Sequence, residues 1–507
     1  MSASVSASRL PEPRQIEQLT QQLQWAHLKI QSLEEQLRLL RIAKYGPPSE
    51  KLNDAQLQLL ELEPGVSDAE VQAESEREAI PASSSQSRRK HPGRQGLPAG
   101  LPRVERVIPC TPEQCTCASC GKQTTVIGYQ ESEQLDAEPA KYFVVVTRRE
   151  KRACKFCEEG GVKAAPLPAR IIEKSLVSDR IVINTVVEKY CDHLPLYRQS
   201  VILERETGIE ISRATLDGWV MRVGELLIPM TAVMRNELVG GSYIQADETP
   251  VSVQMHDGRG KNLQAYLWQY SRPGGGVVFD FRLGRGREGP RKFLGNFEGL
   301  LQTDGYAAYE QVGGPKMVHA ACWAHARRKF MDAVKLNPED RVAARIVASM
   351  NELFAMDARA RDGNLDHAAR QAVRLERAAP LLETIQVQIE AARVGSLPAS
   401  ALGKACNYSL VLWKKLTRFL EHPELELSNN VAENSMRPIA LGRKNWIHVG
   451  SAIAGPKVAA ILTVVETCRR LEIPIREYLA TVLPGLADAS VRRLPDLTPA
   501  AWAARKR

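Results

Sequence analysis

Apolar residues return at alternating spacings of three and four from Ile16 through Leu19, Leu23, Ala26, Ile30, Leu33 and Leu37 to Leu40. This a/d seam predicts one long helix over residues 14–44. The stripe is narrower than the face a helix turns to its own core, and a polar stretch follows it. A coiled coil between copies of the chain is therefore expected over packing on the same chain. Residues 65–103 lose the periodicity and read as a flexible linker. They are acidic at Glu74–Glu78, serine-rich at Ser83–Ser85 and basic at Arg88-Arg89-Lys90-His91.

Helical patterning resumes at 175–238. Ile181–Cys191 is apolar-periodic, Pro195 opens a second helix that Gly208 ends, and Ser212 caps a third over Arg213–Leu227. Helix, glycine-containing turn and capped helix is the layout of a helix-turn-helix. The basic Arg198, Arg205 and Arg213 favour DNA over a plain packed pair. From Ser242 the period falls to two. Tyr243–Asp247, Leu263–Tyr270 and Val277–Arg282 predict an antiparallel meander, followed by a helix near Glu288–Asn296. Leu300–Thr303 and Met317–Cys322 are the fourth and fifth strands, and Trp323–Val334 is a helix. The chain is thus expected to be multidomain α+β, with a ribonuclease-H-like domain over 239–450. A helical insertion interrupts that domain at 338–398, and a helical segment follows at 451–490.

In this topology the first and fourth strands lie side by side and parallel at the sheet's centre. Asp247 and Asp304, both at strand C-terminal ends, are then neighbours. A third acid is expected from a helix packed on the sheet. Beyond the helical stretch Ala399–Glu421, the segment Ser428–Asn434 reads as a capped helix start that carries Glu433. Three carboxylates so placed suit Mg²⁺ or Mn²⁺, because cleavage of a phosphodiester needs an activated nucleophile and a stabilised leaving oxygen. Taken singly, each acid reads as a solvated or capping carboxylate; Glu248 is an example.

Cys117-x-x-Cys120 and Cys154-x-x-Cys157 fit a structural zinc site closed by four thiolates in a module at 104–165, with Tyr142–Thr147 as a strand within it. Cys110 and Cys115 are near enough to substitute for a ligand, and four free thiols are the alternative. The chain has 507 residues, 44% hydrophobic and 25% charged, and a formal net charge of +9, which suits a polyanionic partner. No apolar run is long enough to span a bilayer and no secretory signal is apparent, so a cytoplasmic, nucleoid-associated location is expected.

Five segments are specific enough to carry a resemblance. They are Ala246-Asp247-Glu-Thr-Pro250, Leu301-Gln-Thr-Asp304-Gly-Tyr-Ala-Ala-Tyr309, Cys322-Trp-Ala-His325-Ala-Arg-Arg-Lys-Phe330, Asn429-Asn-Val-Ala-Glu433-Asn-Ser-Met-Arg437-Pro438 and Leu441-Gly-Arg443-Lys444-Asn-Trp446. With Tyr45-Gly-Pro-Pro-Ser-Glu-Lys-Leu52, the cysteine pairs and Lys189–Arg198, they resemble the insertion-sequence-66 family of DDE transposases over nearly the whole chain. The resemblance implies catalysis by Asp247, Asp304 and Glu433 with Mg²⁺, a zinc-finger-like segment, and two small accessory proteins encoded alongside. Asn434-Ser435 departs from the basic residue expected after the glutamate, and leaves all three acids in place.

Cys322 and His325 resemble a Cys-x-x-His signature of several DDE transposases; core packing is the plainer reading of both. Arg213, Arg327, Arg328, Lys329, Arg437, Arg443, Lys444 and Trp446 are candidate DNA contacts. The expected partners are DNA, as terminal inverted repeats and target, and further copies of the chain. Two rivals are a ribonuclease-H-like nuclease that only hydrolyses, and a domesticated DNA-binding protein without activity.

Overall fold

The computed structural model describes residues 168–506 except 174, 256–261, 338 and 447. It also describes 142–147, the strands at 151–153 and 162–164, and 20–23, 26, 27, 29, 30 and 33. Cys110, Cys115, Cys117, Cys120, Cys154 and Cys157 lie outside the described residues, as do the whole linker at 65–103 and most of 14–44. Residues 78–150 form one compact unit and the rest of the chain another. In the smaller unit Tyr142–Thr147 is exposed and irregular, not the expected strand. Its β-branched residues favour extended backbone, a preference that by itself does not make a strand.

The described residues between Thr20 and Leu33 are helical, and the seam residues Leu23, Ile30 and Leu33 are exposed. Strands β1 (Lys151–Ala153) and β2 (Val162–Ala164) pair antiparallel and flank Cys154 and Cys157 in sequence. Helices α1 (Asp179–Tyr190), α2 (Leu196–Thr207) and α3 (Arg213–Val239) follow. Gly208 ends α2 at φ +72°, a conformation glycine adopts without strain. Ser212 caps α3 by accepting the Thr215 N–H at 3.2 Å. That helix runs past the expected end at Leu227 and contains Pro229. Proline removes one helical hydrogen bond there, but Leu227, Met230, Met234 and Leu238 are buried in the main core, and their packing holds the helix through it.

The central sheet has the order β5-β4-β3-β6-β7. Strands β3 (Tyr243–Val253), β4 (Leu263–Ser271) and β5 (Val277–Arg282) form the antiparallel meander. After α4 (Glu288–Leu294), β6 (Leu300–Thr303) adds parallel to β3, and β7 (Val318–Ala321) adds parallel to β6. Only a single 3₁₀ turn, Ala307–Tyr309, stands between β6 and β7. The first and fourth strands of the sheet are thus neighbours, as expected.

Helices cover both faces. Ile244, Ala246 and Leu301 point into the core shared with α1, α3 and α12 (Ala454–Arg470). Tyr243 and Leu300 point the other way, into a second core. That core contains α5 (Trp323–Leu336), the insertion helices α6 (Arg341–Asp362), α7 (His367–Val373) and α8 (Ala379–Val394), and α9 (Ala401–Val411), with α10 (Trp413–Leu416) beside them. Helix α11 (Asn430–Trp446) carries Glu433 in its first turn. Among the described residues no helix is long and apolar enough to cross a membrane.

Candidate active site

The parallel ladder between β3 and β6 runs from Tyr243↔Leu300 to Gln245↔Gln302. Asp247 and Asp304 are each two residues beyond that last pair. The shared register therefore sets them side by side where the parallel pairing ends. Strand β3 itself continues antiparallel to β4 as far as Val253, so Asp247 lies within a strand and not at its end, as the sequence alone suggested. The cause is the long β4, which pairs with β3 over its whole length.

Local hydrogen bonds fix both carboxylates. Asp247 Oδ1 accepts the Glu248 N–H at 2.9 Å, and Asp304 Oδ1 accepts the Tyr306 N–H at 2.8 Å in an Asx turn. Gly305 completes that turn at φ +87°; a Cβ there would lie 2.4 Å from Leu412 Cδ1. Tyr408 on α9 donates its hydroxyl to the Asp304 carbonyl.

Glu433 arrives in the first turn of α11, buried at 4% exposure. Polar side chains clamp the segment ahead of that helix onto the sheet. Gln302 donates to the Glu426 carbonyl at 2.7 Å and Gln245 to the Ser428 carbonyl at 3.0 Å. The Trp323 backbone N–H adds to them by donating to the Leu427 carbonyl at 2.8 Å. At the helix's far end, Val449 bridges to Val253, and Arg443 donates to the Pro250 carbonyl. Helix α11 is thus tied to β3 at both ends.

A second clamp lies in the insertion. Asp357 on α6 accepts from Arg370 on α7 at 2.9 Å and from Arg374, at a π turn, at 2.8 Å. Arg374, 1% exposed, also donates to the carbonyls of Phe419, Pro423 and Leu425, while Arg370 reaches Glu426 at 3.0 Å. Burial pushes the Asp357 carboxyl up, but the two guanidiniums outweigh it and hold it below its ordinary value. These ion pairs tie the insertion to residues 419–426, ahead of the helix that carries Glu433.

The charges of Glu433 and Asp304 both reach Asp247. Asp247 is pushed well above the ordinary carboxylate range, first by burial and then by Glu433, Glu248 and Asp304. Asp304 is also raised by burial, against the Tyr306 N–H and the charges of Arg285 and Lys329. Glu248, which the sequence reading passed over, belongs to the surroundings of the site. Its Oε1 pairs with Arg285 at 2.6 Å and its Oε2 accepts the Tyr309 hydroxyl at 2.8 Å, so its charge is already matched. The only signal for it was its place beside Asp247.

Residues 174–456, more than half of the chain, match the profile described as "Transposase IS66 family". The chain belongs to the IS66 transposase family. Two further profiles match the transposase upstream: "zinc-finger binding domain of transposase IS66" over 114–158 and "Transposase C of IS166 homeodomain" over 32–106. Two Sinorhizobium fredii relatives agree in extent. The "Uncharacterized protein y4qI" is 32% identical over 91% of this chain and 87% of its own length. The "Uncharacterized protein y4hP" is 30% identical over 94% and 88%.

The remaining candidate residues fall into two groups. Arg328 bonds Glu433 Oε2 at 3.2 Å and Arg327 bonds Asn351 at 2.6 Å, so both are engaged inside the fold. Lys329 lies over the Tyr408 ring at 4.6 Å. Arg213 and Lys444 are exposed and Arg437 is partly so. Trp446 and Arg213 line a cleft of about 820 Å³ together with Lys189, Tyr197, His448 and Lys457. Burial pushes the Cys322 thiol up to about 12 and His325 down to about 3, so both are neutral at neutral pH.

Proposed function

We propose that the transposase has a ribonuclease-H-like catalytic domain in which Asp247, Asp304 and Glu433 act together to cleave DNA at its element's ends and join the freed end to a target. The observation that carries this reading is the approach of three acids from two adjacent parallel strands and a facing helix, with Asp247 raised by burial and then by its acidic neighbours. Carboxylates crowded in this way repel one another and supply only hard oxygen donors, which fits Mg²⁺ or Mn²⁺. Bound there, such ions supply an activated attacking oxygen and a stabilised leaving oxygen at phosphorus.

The chain's own side chains do the rest. Arg285 pairs with Glu248 and offsets part of the charge that this adjacent acid brings to Asp247. Lys329 is near enough for its charge to lower the Asp304 carboxyl, and it is read as a phosphate contact. Arg213, Arg437, Arg443, Lys444 and Trp446 are read as contacts to the terminal inverted repeats and target; Arg327 and Arg328 support the fold instead. A structural Zn²⁺ on Cys117, Cys120, Cys154 and Cys157 orders the module upstream. The exposed Leu23, Ile30 and Leu33 fit a coiled coil that joins copies and so holds two DNA ends. The setting is the bacterial cytoplasm at the nucleoid, with two small accessory proteins encoded alongside.

The test is cleavage and strand transfer of labelled element ends with Mg²⁺, run with the accessory proteins present. Joined products from the wild type and none from Glu433→Gln are expected. Cleavage without joining would replace this reading with a hydrolytic nuclease.

A further inference from the structure

Cys322 caps the start of α5 and His325 lies in its first turn, and both reach towards Glu433 in the first turn of α11. The sulfur, one imidazole nitrogen and one carboxylate oxygen all lie within 4.8 Å of one another. One thiol, one imidazole and one carboxylate at a single point are the donors of a zinc-class cation, unlike the all-oxygen set that suits Mg²⁺.

Two details point the same way. Cys322 is fully buried, yet its Sγ accepts the Asn429 N–H at 3.4 Å, and the N–H groups of His325 and Ala324 also turn towards it. These N–H groups turn partial positive charge towards the sulfur, although burial outweighs them in the metal-free protein and keeps the thiol protonated. His325 Nδ1 is buried and makes no hydrogen bond among the described residues, although Glu433 Oε1 faces it at 3.4 Å. A cation between nitrogen, oxygen and sulfur would give the imidazole nitrogen its partner. Core packing explains the burial of Cys322 but not this convergence.

We propose that Cys322, His325 and Glu433 form a second zinc-class site, distinct from the four-cysteine module, with its fourth position open. On binding, the Cys322 thiol gives its proton to solvent, the neutral imidazole binds through Nδ1, and Glu433 binds as the carboxylate. An ion held there joins α5 to α11 and fixes one oxygen of Glu433, while Arg328 holds the other. Only this last consequence rests on Glu433 being the third catalytic acid.

The experiment titrates full-length protein, its four-cysteine module filled with zinc, with Co²⁺. One further equivalent with a sulfur-to-cobalt charge-transfer band is expected. Cys322→Ser should lose the band, and His325→Asn should weaken binding by at least the roughly 10- to 100-fold that loss of an outer-sphere partner costs. No uptake beyond the module, or equal uptake and absorption by Cys322→Ser, overturns the site. Circular dichroism reports whether each variant folds. Should Cys322→Ser not fold, Glu433→Gln keeps sulfur and nitrogen in place, and an unchanged titration in that variant overturns the proposal equally. A wrong assignment of the third acid would show in the cleavage assay and leave the titration as it is.

Discussion

Asp247 and Asp304 meet because Tyr243–Gln245 pairs with Leu300–Gln302 in a parallel ladder, so backbone geometry alone sets their separation. Glu433 reaches the same place with no ladder to guide it. Two glutamines, a tryptophan N–H and a buried Asp357–Arg370–Arg374 cluster hold the segment from Phe419 to Asn429 that delivers its helix. The strand-borne acids are fixed by repeated local pairing and the helix-borne acid by single side chains far apart in sequence. The difference predicts where the site is robust and where it is fragile.

The largest effect should come from the acids themselves. Asp304→Ala is expected to abolish cleavage and joining, a loss of several orders of magnitude where electrostatic stabilisation dominates the rate. Its thermal unfolding and DNA binding should stay near wild type, because the ladder that places residue 304 is untouched. Retained strand transfer would remove Asp304 from the site. Next is Asp357→Ala, which leaves two buried guanidiniums short of their shared partner. Breaking a buried ion pair from one side costs about 3–5 kcal/mol, enough to read directly in denaturant unfolding. A loss below about 1 kcal/mol would mean that Glu426 and the carbonyls suffice for Arg370 and Arg374.

Gln302→Leu is the sharper test of the comparison, since it removes one clamp on Glu433 and leaves every acid in place. The Glu426 carbonyl loses its donor, and the Tyr243 hydroxyl and Gln245 amide lose the acceptor they share, at a cost of about 1–3 kcal/mol. The turnover rate should fall while the KM for DNA stays within about twofold, because the acid is displaced and the DNA surface is not. Equal changes in both would show that the clamp serves the whole fold.

The same contrast explains what the sequence disclosed. A period of two ending in an acid is visible without a structure, so β6 and the neighbourhood of Asp247 and Asp304 were legible. Val277–Arg282 and Leu300–Thr303 match the observed strands residue for residue. Glu433 was legible as a motif on a helix start, but its supports were not. Arg370 and Arg374 sit in a charged, alanine- and leucine-rich stretch, where arginine ordinarily means a solvated face. Nothing local shows that Arg374 reaches three carbonyls some 45 to 51 positions away. The convergence of Cys322 and His325 on Glu433 was hidden for the same reason: the third ligand is more than a hundred residues distant.

The smallest expected effect is one of pH, and it belongs to the strand-borne pair. Burial, and for Asp247 its acidic neighbours, raise the Asp247 and Asp304 carboxyls in the folded protein, whereas unfolded aspartates titrate near about 3.9. Folding therefore takes up protons. The stability tied to these groups is full below the unfolded value and is lost as pH rises through the folded values. Metal-free protein should melt at a lower temperature at about pH 8 than at about pH 5, and Mg²⁺ should recover much of the difference by favouring the ionised pair. Asp247→Asn removes the most strongly raised of the two, so both the slope with pH and the response to Mg²⁺ should shrink. An unaltered slope in Asp247→Asn would assign the pH dependence to other groups and leave the ladder, not charge, as the only demonstrated link between the two acids.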